Sequence, residues 1–202
     1  MRGARVWLTV VWLLSGCDVV FQLSPRVPDA ASDAGFDTAL CPSAYSVELA
    51  NQRSRYRVIK AANAMWSHSD DCDNDRPGAT HLAALDDLEE IAAVQAHLDT
   101  LPDQPSTRTW VGAVQRSTAV APDDAWITIG DVDLPAYWCP PAEPNDGGSS
   151  IERGIEQFVS LERNSECFID APGIESLGGL CECDGKPRGA SATELIETYR
   201  AR

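Results

Sequence analysis

The sequence predicts an α+β domain that disulfides staple. Short runs such as residues 45–49 and 157–161 alternate between apolar and polar side chains, which is typical of strands. Residues 86–101 instead repeat apolar side chains at helical spacing. The chain also has seven cysteines in 202 residues, which indicates disulfides in an exported protein.

The first 17 residues predict export. Arg2 and Arg5 precede an apolar run over residues 6–14, which is well short of the roughly 20 residues that a membrane-spanning helix needs. The run ends in Leu-Ser-Gly-Cys, which is similar to a bacterial lipobox. We therefore expect residues 1–17 to be a lipoprotein signal peptide and Cys17 to be lipid-modified. The expected location is the bacterial cell envelope, lipid-anchored, with the choice between inner and outer membrane open.

The segment after the lipobox differs in composition from the rest of the chain. Residues 18–40 are rich in Asp, Ala, Ser and Pro and lack a sustained period, so we expect a flexible tether. Six cysteines follow it, and their even number is compatible with complete pairing, although the spacing alone leaves the connectivity open.

Charge and motif content exclude several function classes. The formal net charge of −15 repels nucleic acid and anionic lipid surfaces, so we expect neither as a partner. The sequence has no Gly-x-Ser-x-Gly, His-Glu-x-x-His or phosphate-binding loop, and its three histidines lack ligand spacing. Paired carboxylates such as Glu143 and Asp170 could serve a glycosidase, but we favour a ligand-binding role and expect no enzyme.

The remaining elements follow from periodicity. Strands are expected at residues 45–49, 55–59, 157–161 and 167–170, and helices at residues 60–72, 86–101 and 191–201. In the second helix, Asp86 and Glu89 form a capping-box variant, and one face is expected to hold Leu88, Ile91, Gln95 and Leu98. From Ala119 the chain becomes loop-like for about 40 residues, a length that is uncommon unless the loop is functional.

An acidic run near the first helix imitates an EF-hand loop. Residues 71–75 read Asp-Cys-Asp-Asn-Asp, which matches the first positions of that motif. The sixth position is Arg76 rather than Gly, and the twelfth is Leu82 rather than Glu. We therefore reject a calcium site at this run.

The most distinctive stretch is residues 137–146, Tyr-Trp-Cys-Pro-Pro-Ala-Glu-Pro-Asn-Asp. Pro144 fixes its own φ, restricts the residue before it, and can form a cis peptide bond. Glu143 and Asn145 are therefore expected to form a rigid pair of oxygen donors. Such a pair suits a hard cation such as Ca²⁺.

Four motifs together resemble the C-type lectin-like family. They are the Cys-Pro start at Cys41, the run Trp110-Val-Gly112, the Glu-Pro-Asn that follows Trp138, and Cys181-Glu182. The resemblance covers residues 41–185 and implies a C-type lectin-like domain over residues 41–186. It implies a fold in which two helices pack on small antiparallel sheets and a long loop carries the binding site. It also implies a central strand around Trp110 and a closing strand at residues 179–183. Residues 187–202 are then a C-terminal tail, with the third helix outside the domain.

The resemblance also implies a disulfide pattern. It places a bond between the first helix and the last strand at Cys72–Cys181, and a bond to the entry hairpin at Cys41–Cys183. Exchange of Cys181 and Cys183 as partners remains the main alternative. Phe158 and Gly173 occupy about the positions of the second usual pair of the family. We expect Cys139–Cys167 as a substitute that borders the loop.

The resemblance implies a Ca²⁺ site in the long loop. Its ligands are Glu143, Asn145, Asp170 and Glu156, with Glu152 as the alternative to Glu156. Glu143, Asn145 and Glu156 are also expected to hydrogen-bond the sugar hydroxyls, and Glu-Pro-Asn is associated with mannose-type sugars. Ile169 stands where the family has a coordinating Asn.

The expected function is that of a lipid-anchored extracytoplasmic binding module, with carbohydrate recognition through Ca²⁺. The alternative is a Ca²⁺-independent protein–protein interaction module of the same fold. The expected partners are accordingly a carbohydrate or protein ligand, and the membrane through the lipid anchor.

Overall fold

The structure is a computed structural model that describes residues 36–102, 106–145, 156–163, 165 and 167–202. The expected signal peptide, Cys17 and nearly all of the expected tether lie outside the described residues, as does Glu152. Within the described part, no helix combines the length and the apolar character that crossing a membrane requires.

Strands and helices both contribute to the described chain. The strands are β1 (Val47–Glu48), β2 (Arg55–Asn63), β3 (Thr80–Leu82), β4 (Arg108–Gln115), β5 (Trp126–Thr128), β6 (Phe158–Glu162), β7 (Cys167–Ala171) and β8 (Leu177–Cys183). The helices are α1 (Met65–Asp75), α2 (Leu88–Thr100) and α3 (Ala190–Arg200). The predicted α+β class is confirmed.

The strands join into one sheet with the order β1-β2-β8-β4-β6-β7, while β3 pairs with β8 and β5 pairs with β4. The pairs are antiparallel except for β4 and β8, which run parallel. The central position of β8 follows from its sequence, because its seven residues are all buried. A strand that is covered on both faces is expected to lie inside a sheet rather than at its edge.

Two apolar clusters form the core. The first contains side chains from α1 and α3 together with Trp110 and Phe158, and Trp110 is fully buried. The second contains the buried face of α2 together with Tyr56 and Phe168. Helices α1 and α3 therefore pack in the first cluster, and α2 packs in the second.

Three disulfides connect the described cysteines. They are Cys41–Cys183, Cys72–Cys181 and Cys139–Cys167, with Cα–Cα distances of 6.0, 5.5 and 4.9 Å. These are the pairs that the resemblance implies. At the positions of the usual second family pair, the ring of Phe158 covers Gly173, where an added Cβ would lie 2.6 Å from the ring. The aromatic ring thus fills the space that a larger residue at position 173 would need.

The first predicted helix begins later than expected. Residues 60–63 continue β2 instead, and Asn63 pairs with Leu177 of β8 after a shift in register. Lys and Ala favour helix intrinsically, but pairing with a buried strand overrides so weak a preference. Ala61 in this extension is exposed.

The cap and the buried face of α2 also differ from the prediction. Asp87, rather than Asp86, caps the helix by accepting a 2.8 Å hydrogen bond from the backbone N–H of Glu90. Ile91, Gln95 and Leu98 are buried as expected, whereas Leu88 is 56% exposed. Glu90 and Val94 complete the buried face.

The acidic run that imitates an EF-hand is helical. Residues 71–75 are the last residues of α1. Asp71 and Asp75 form ion pairs with Arg57, and Asp73 forms one with Arg188. These carboxylates are therefore engaged by arginines of β2 and of the segment before α3.

The C-terminal segment belongs to the folded domain, contrary to the expectation for residues 187–202. Ala192, Ile196 and Tyr199 of α3 are buried in the first core cluster. Their spacing places them on one helical face, and an apolar face of this kind gains stability only when it is covered. At the other end, Phe36 also packs against the core, so the ordered domain begins before Cys41.

Candidate functional site

The candidate site lies in the described residues between β5 and β6, 129–145 and 156–157, which we call the long loop, and on the neighbouring strand β7. The middle of its described part is tied to the edge strand β7 by backbone hydrogen bonds. The N–H of Cys139 donates to the carbonyl of Phe168 at 3.0 Å, and the N–H of Phe168 donates to the carbonyl of Tyr137 at 2.7 Å. The disulfide Cys139–Cys167 joins the same two segments covalently.

Aromatic packing holds the loop at the same place. The ring of Trp138 lies 5.0 Å from Trp126 of β5 and 6.0 Å from Phe168 of β7, centroid to centroid. Aromatic pairs at such distances stabilise beyond the area that they bury. The part of the loop that leads to the Glu-Pro-Asn turn is therefore held against β5 and β7.

The turn brings its two polar side chains together. The backbone N–H of Glu143 donates to the carbonyl of Cys139 at 3.0 Å, and the Glu143–Pro144 peptide bond is cis. The amide Nδ2 of Asn145 donates to Oε2 of Glu143 at 2.8 Å. The expected pair of oxygen-bearing side chains is thus preformed within the loop.

The turn also contacts β7. The backbone N–H of Asn145 lies 3.2 Å from both carboxylate oxygens of Asp170. Asp170 is only 2% exposed and pairs in the sheet with Val159 of β6. The strand therefore presents a buried carboxylate to the loop. Ile169 alternates with it along β7, and consecutive side chains of a strand point to opposite faces.

Carboxylates crowd one another at this turn. Burial, a side-chain hydrogen bond with Asp170 and the charges of Asp170 and Glu156 raise the pKa of Glu143 to about 8. The amide of Asn145 acts in the opposite direction. Like charges held this close need a proton or a cation between them. The structure thus brings Glu143, Asn145 and Asp170 of the expected site into contact, whereas Glu156 acts on Glu143 through its charge.

The residue types at this turn are those that a hard cation takes. Three carboxylates and one amide are ligand types of Ca²⁺, and Ile169 adds no oxygen to them. Among the described residues, the carboxylate oxygens of Glu143, Glu156 and Asp170 do not all lie within 4.8 Å of one another. A divalent ion would neutralise the charges of carboxylates that it draws together.

A second acidic region lies in a cleft of about 350 Å³ beside the start of α2, which Gly130 and Val132 of the long loop also line. Its wall includes five acidic residues, Asp86, Asp87, Glu90, Glu182 and Asp184. Carboxylate oxygens of the first three lie within 4.8 Å of one another. Sequence reasoning missed this cleft. The available signal was Glu182, a charged residue inside the otherwise uncharged β8.

The buried acids of this cleft have protein donors. The hydroxyl of Tyr56 donates to Glu90, and Glu182 accepts from the Ser54 hydroxyl and from the backbone N–H of Ala84 at 2.9 Å. Burial and the charge of Glu182 raise the pKa of Glu90 to about 8, despite the hydrogen bond from Tyr56. Burial likewise raises the pKa of Glu182.

A histidine completes the network. Nε2 of His81 lies 3.1 Å from Asp184, and Nδ1 lies 2.7 Å from the carbonyl of Leu82. Burial alone would lower the pKa of His81, but the hydrogen bond with Asp184 and the nearby carboxylates raise it to about 9. The same hydrogen bond and the charge of His81 lower the pKa of Asp184 in spite of burial.

Comparison with known proteins identifies the fold. No protein-family model matches the sequence, and a search of curated proteins finds no match. A calcium-independent type II antifreeze protein has a similar structure, with 18% identity, a TM-score of 0.54, and coverage of 72% of this chain and 95% of that chain. The C-type lectin CEL-I from Cucumaria echinata has 13% identity and a TM-score of 0.56, covering 71% of this chain and 96% of its own.

A third structure gives the same result. The mouse scavenger receptor C-type lectin carbohydrate-recognition domain shares 17% identity at a TM-score of 0.56 and covers 74% of this chain and 99% of that chain. At identities this low, the likeness concerns the fold. The chain therefore folds as a C-type lectin-like domain.

Proposed function

We propose that this protein is a lipid-anchored extracytoplasmic binding module that recognises carbohydrate through Ca²⁺ in the long loop. The observation that carries the proposal is the contact of Asn145 with both Glu143 and Asp170, with the charge of Glu156 near enough to act on Glu143. Similarity to two C-type lectins in fold supports a binding role rather than a catalytic one.

The division of roles follows from the chemistry of the side chains. Glu143, Glu156 and Asp170 would hold the ion with carboxylate oxygens, and Asn145 would add an amide oxygen. Bound Ca²⁺ would supply open coordination positions for two neighbouring sugar hydroxyls. Carboxylates accept hydrogen bonds, whereas the amide of Asn145 can also donate one, so the pair can satisfy both hydrogen-bonding roles of a hydroxyl.

The sugar class and the anchor are further parts of the proposal. The order Glu-Pro-Asn favours mannose-type sugars through the resemblance to the family. The Leu-Ser-Gly-Cys sequence at Cys17 supports a lipid anchor in a bacterial envelope.

The second candidate is a Ca²⁺-independent protein–protein interaction module. Two observations favour it. Ile169 contributes no ligand, and the Asn145 N–H already closes the loop onto Asp170 through protein atoms. One of the similar structures is moreover a calcium-independent protein.

Thermal unfolding separates the two candidates. We would compare the oxidised chain from residue 18 onward in EDTA, in millimolar Ca²⁺ and in millimolar Mg²⁺. A ligand at 100 times its dissociation constant stabilises by about 2.7 kcal/mol, which corresponds to a rise of several degrees. We expect a rise with Ca²⁺ that Asn145→Ala abolishes, followed by Ca²⁺-dependent capture on mannose-type glycans.

Asp123→Asn provides a matched control, because this exposed residue lies outside the cluster. It should keep the full response to Ca²⁺. A flat response in a folded wild-type protein would overturn the calcium mechanism and favour the protein-binding alternative.

A further inference from the structure

Helix α3 contacts the start of the long loop. The carboxylate of Asp131 accepts hydrogen bonds from the backbone N–H groups of Ser191 and Ala192, at 3.0 and 2.8 Å. It thereby caps the helix from a different part of the chain. The N–H of Gly189 also donates to the carbonyl of Ile129 at 2.8 Å. The first turn of α3 thus holds residues 129–131, where the loop leaves β5.

The last turn of α3 contacts the other end of the loop. The hydroxyl of Tyr199 donates to the carbonyl of Gln115 at 2.9 Å, and the N–H of Gln115 donates to the carbonyl of Gln157 at 3.0 Å. The ring of Tyr199 packs edge-on against Phe158, with centroids 5.8 Å apart. Tyr199 therefore holds the point where the loop enters β6, immediately after Glu156.

The contact extends to the candidate ligands through the sheet. Phe158 and Val159 of β6 pair with Ala171 and Asp170 of β7. Glu156 lies two residues before Phe158, and Asp170 is part of this pairing. A displacement of the start of β6 would therefore change the separation of two carboxylates that the site needs close together.

We propose that α3 positions the candidate site by holding both ends of the long loop, and that Tyr199 is the positioning residue at the end next to Glu156. What the site binds rests on the proposed function, but the positioning itself does not. The helix lies beyond β8, the last strand of the sheet. It thus adds a support that does not depend on the loop disulfide Cys139–Cys167.

The test is residue-level hydrogen exchange on the full oxidised chain in EDTA, where no metal contributes. The variant Tyr199→Phe removes only the hydroxyl. We expect the amides of Gln115 and Asn145 to exchange roughly fivefold faster, the effect of losing about one neutral hydrogen bond. Amides of α2 such as Val94 should keep their wild-type rates.

Two further variants complete the design. Asp131→Gly removes the cap at the other end of α3 while tolerating the positive φ of 63° at that position, and it should also accelerate exchange at Asn145. Arg200→Gln is the matched control, because Arg200 of the same helix pairs with Asp70 of α1 and not with the loop. Its Asn145 amide should exchange at the wild-type rate.

The outcomes are distinguishable from those of the proposed function. Unchanged exchange at Gln115 and Asn145 in both Tyr199→Phe and Asp131→Gly would overturn the positioning role, whether or not α3 stays protected. If the wild type responds to Ca²⁺, Tyr199→Phe should also weaken the apparent Ca²⁺ affinity about fivefold, and Arg200→Gln should not. A wild type without any Ca²⁺ response would contradict the proposed function alone.

Discussion

Two acidic clusters in this domain differ in what faces each carboxylate. In the cleft beside α2, Glu90 accepts from Tyr56, and Glu182 accepts from Ser54 and Ala84. In the long loop, Glu143 instead faces Asp170 and Glu156, and a single amide donor, Asn145, contacts it. Both Glu90 and Glu143 have a pKa raised to about 8.

The difference teaches that a raised pKa alone does not identify a binding site. At both places burial is the largest cause, and neighbouring carboxylates add to it. The two places differ in exposure: Glu90 and Glu182 are buried among hydroxyl and backbone donors, whereas Glu143 is partly exposed. Buried carboxylates with protein donors stabilise the fold, whereas a partly exposed carboxylate beside another one can accept a cation from solvent.

The largest expected effect is the loss of stability when a cleft acid is removed. Glu182→Ala leaves Ser54 and the N–H of Ala84 without their acceptor, and we expect the free energy of unfolding to fall by about 2–3 kcal/mol. Glu143→Ala in EDTA should change it by less than about 0.5 kcal/mol, because the residue is partly exposed and lies in a loop. Urea unfolding at pH 7 measures both, and equal losses would contradict the comparison.

The second effect concerns pH. Because the pKa of Glu90 is raised from 4.5 to about 8 in the folded state, the folded protein keeps this proton more tightly than the unfolded chain does. The contribution of Glu90 to the free energy of unfolding is therefore complete below about pH 4.5 and is lost as the pH rises through about 8. His81, with a pKa raised to about 9, adds a loss between its ordinary value of 6.5 and about 9.

The variant Glu90→Gln should reduce this pH dependence. The groups that face Glu90 are Tyr56, Glu182 and Asp86. We expect the fall in unfolding free energy between pH 5 and pH 8 to be smaller than in the wild type by about 1 kcal/mol or more. Glu89→Gln, an exposed neighbour on α2, is the control and should show the wild-type slope. Identical slopes in all three proteins would argue against a titrating acid in the cleft.

The smallest expected effect distinguishes the loop cluster most sharply. Glu143→Gln removes one of three crowded carboxylates, so stability in EDTA at pH 8 should rise by a few tenths of a kcal/mol. The same variant should lose the stabilisation by Ca²⁺ on the proposed function. Calorimetry in EDTA measures the expected rise in stability, and calorimetry with Ca²⁺ measures the expected loss of stabilisation by the ion. A destabilised variant in EDTA would indicate that Glu143 supports the loop structurally.

Much of the fold could be predicted because its signals are local. Apolar periodicity indicated α2 and the strands around Tyr56 and Val159, and the resemblance implied the disulfides that the structure contains. The site residues Glu143 and Asn145 were recognisable for the same reason, since they flank one proline. Such patterns lie within a few residues, where the physical constraints on backbone and side chain are strongest.

Other features depend on contacts between distant segments. Residues 60–63 extend β2 because β8 lies beside them. Helix α3 packs into the core because Asp131 caps it and Phe158 packs against its Tyr199. No local sequence pattern predicts which distant side chain will pack against a given face of a helix or strand.

The sequence by itself determined the α+β class and the likeness to the C-type lectin-like domain, and it predicted the residues of the candidate loop site. Only the tertiary structure decided that Glu90 and Glu182 lie buried together and that Asp170 reaches Asn145. The physical reason is that periodicity and turn chemistry act between near neighbours, whereas burial and the pairing of charges depend on which strands meet.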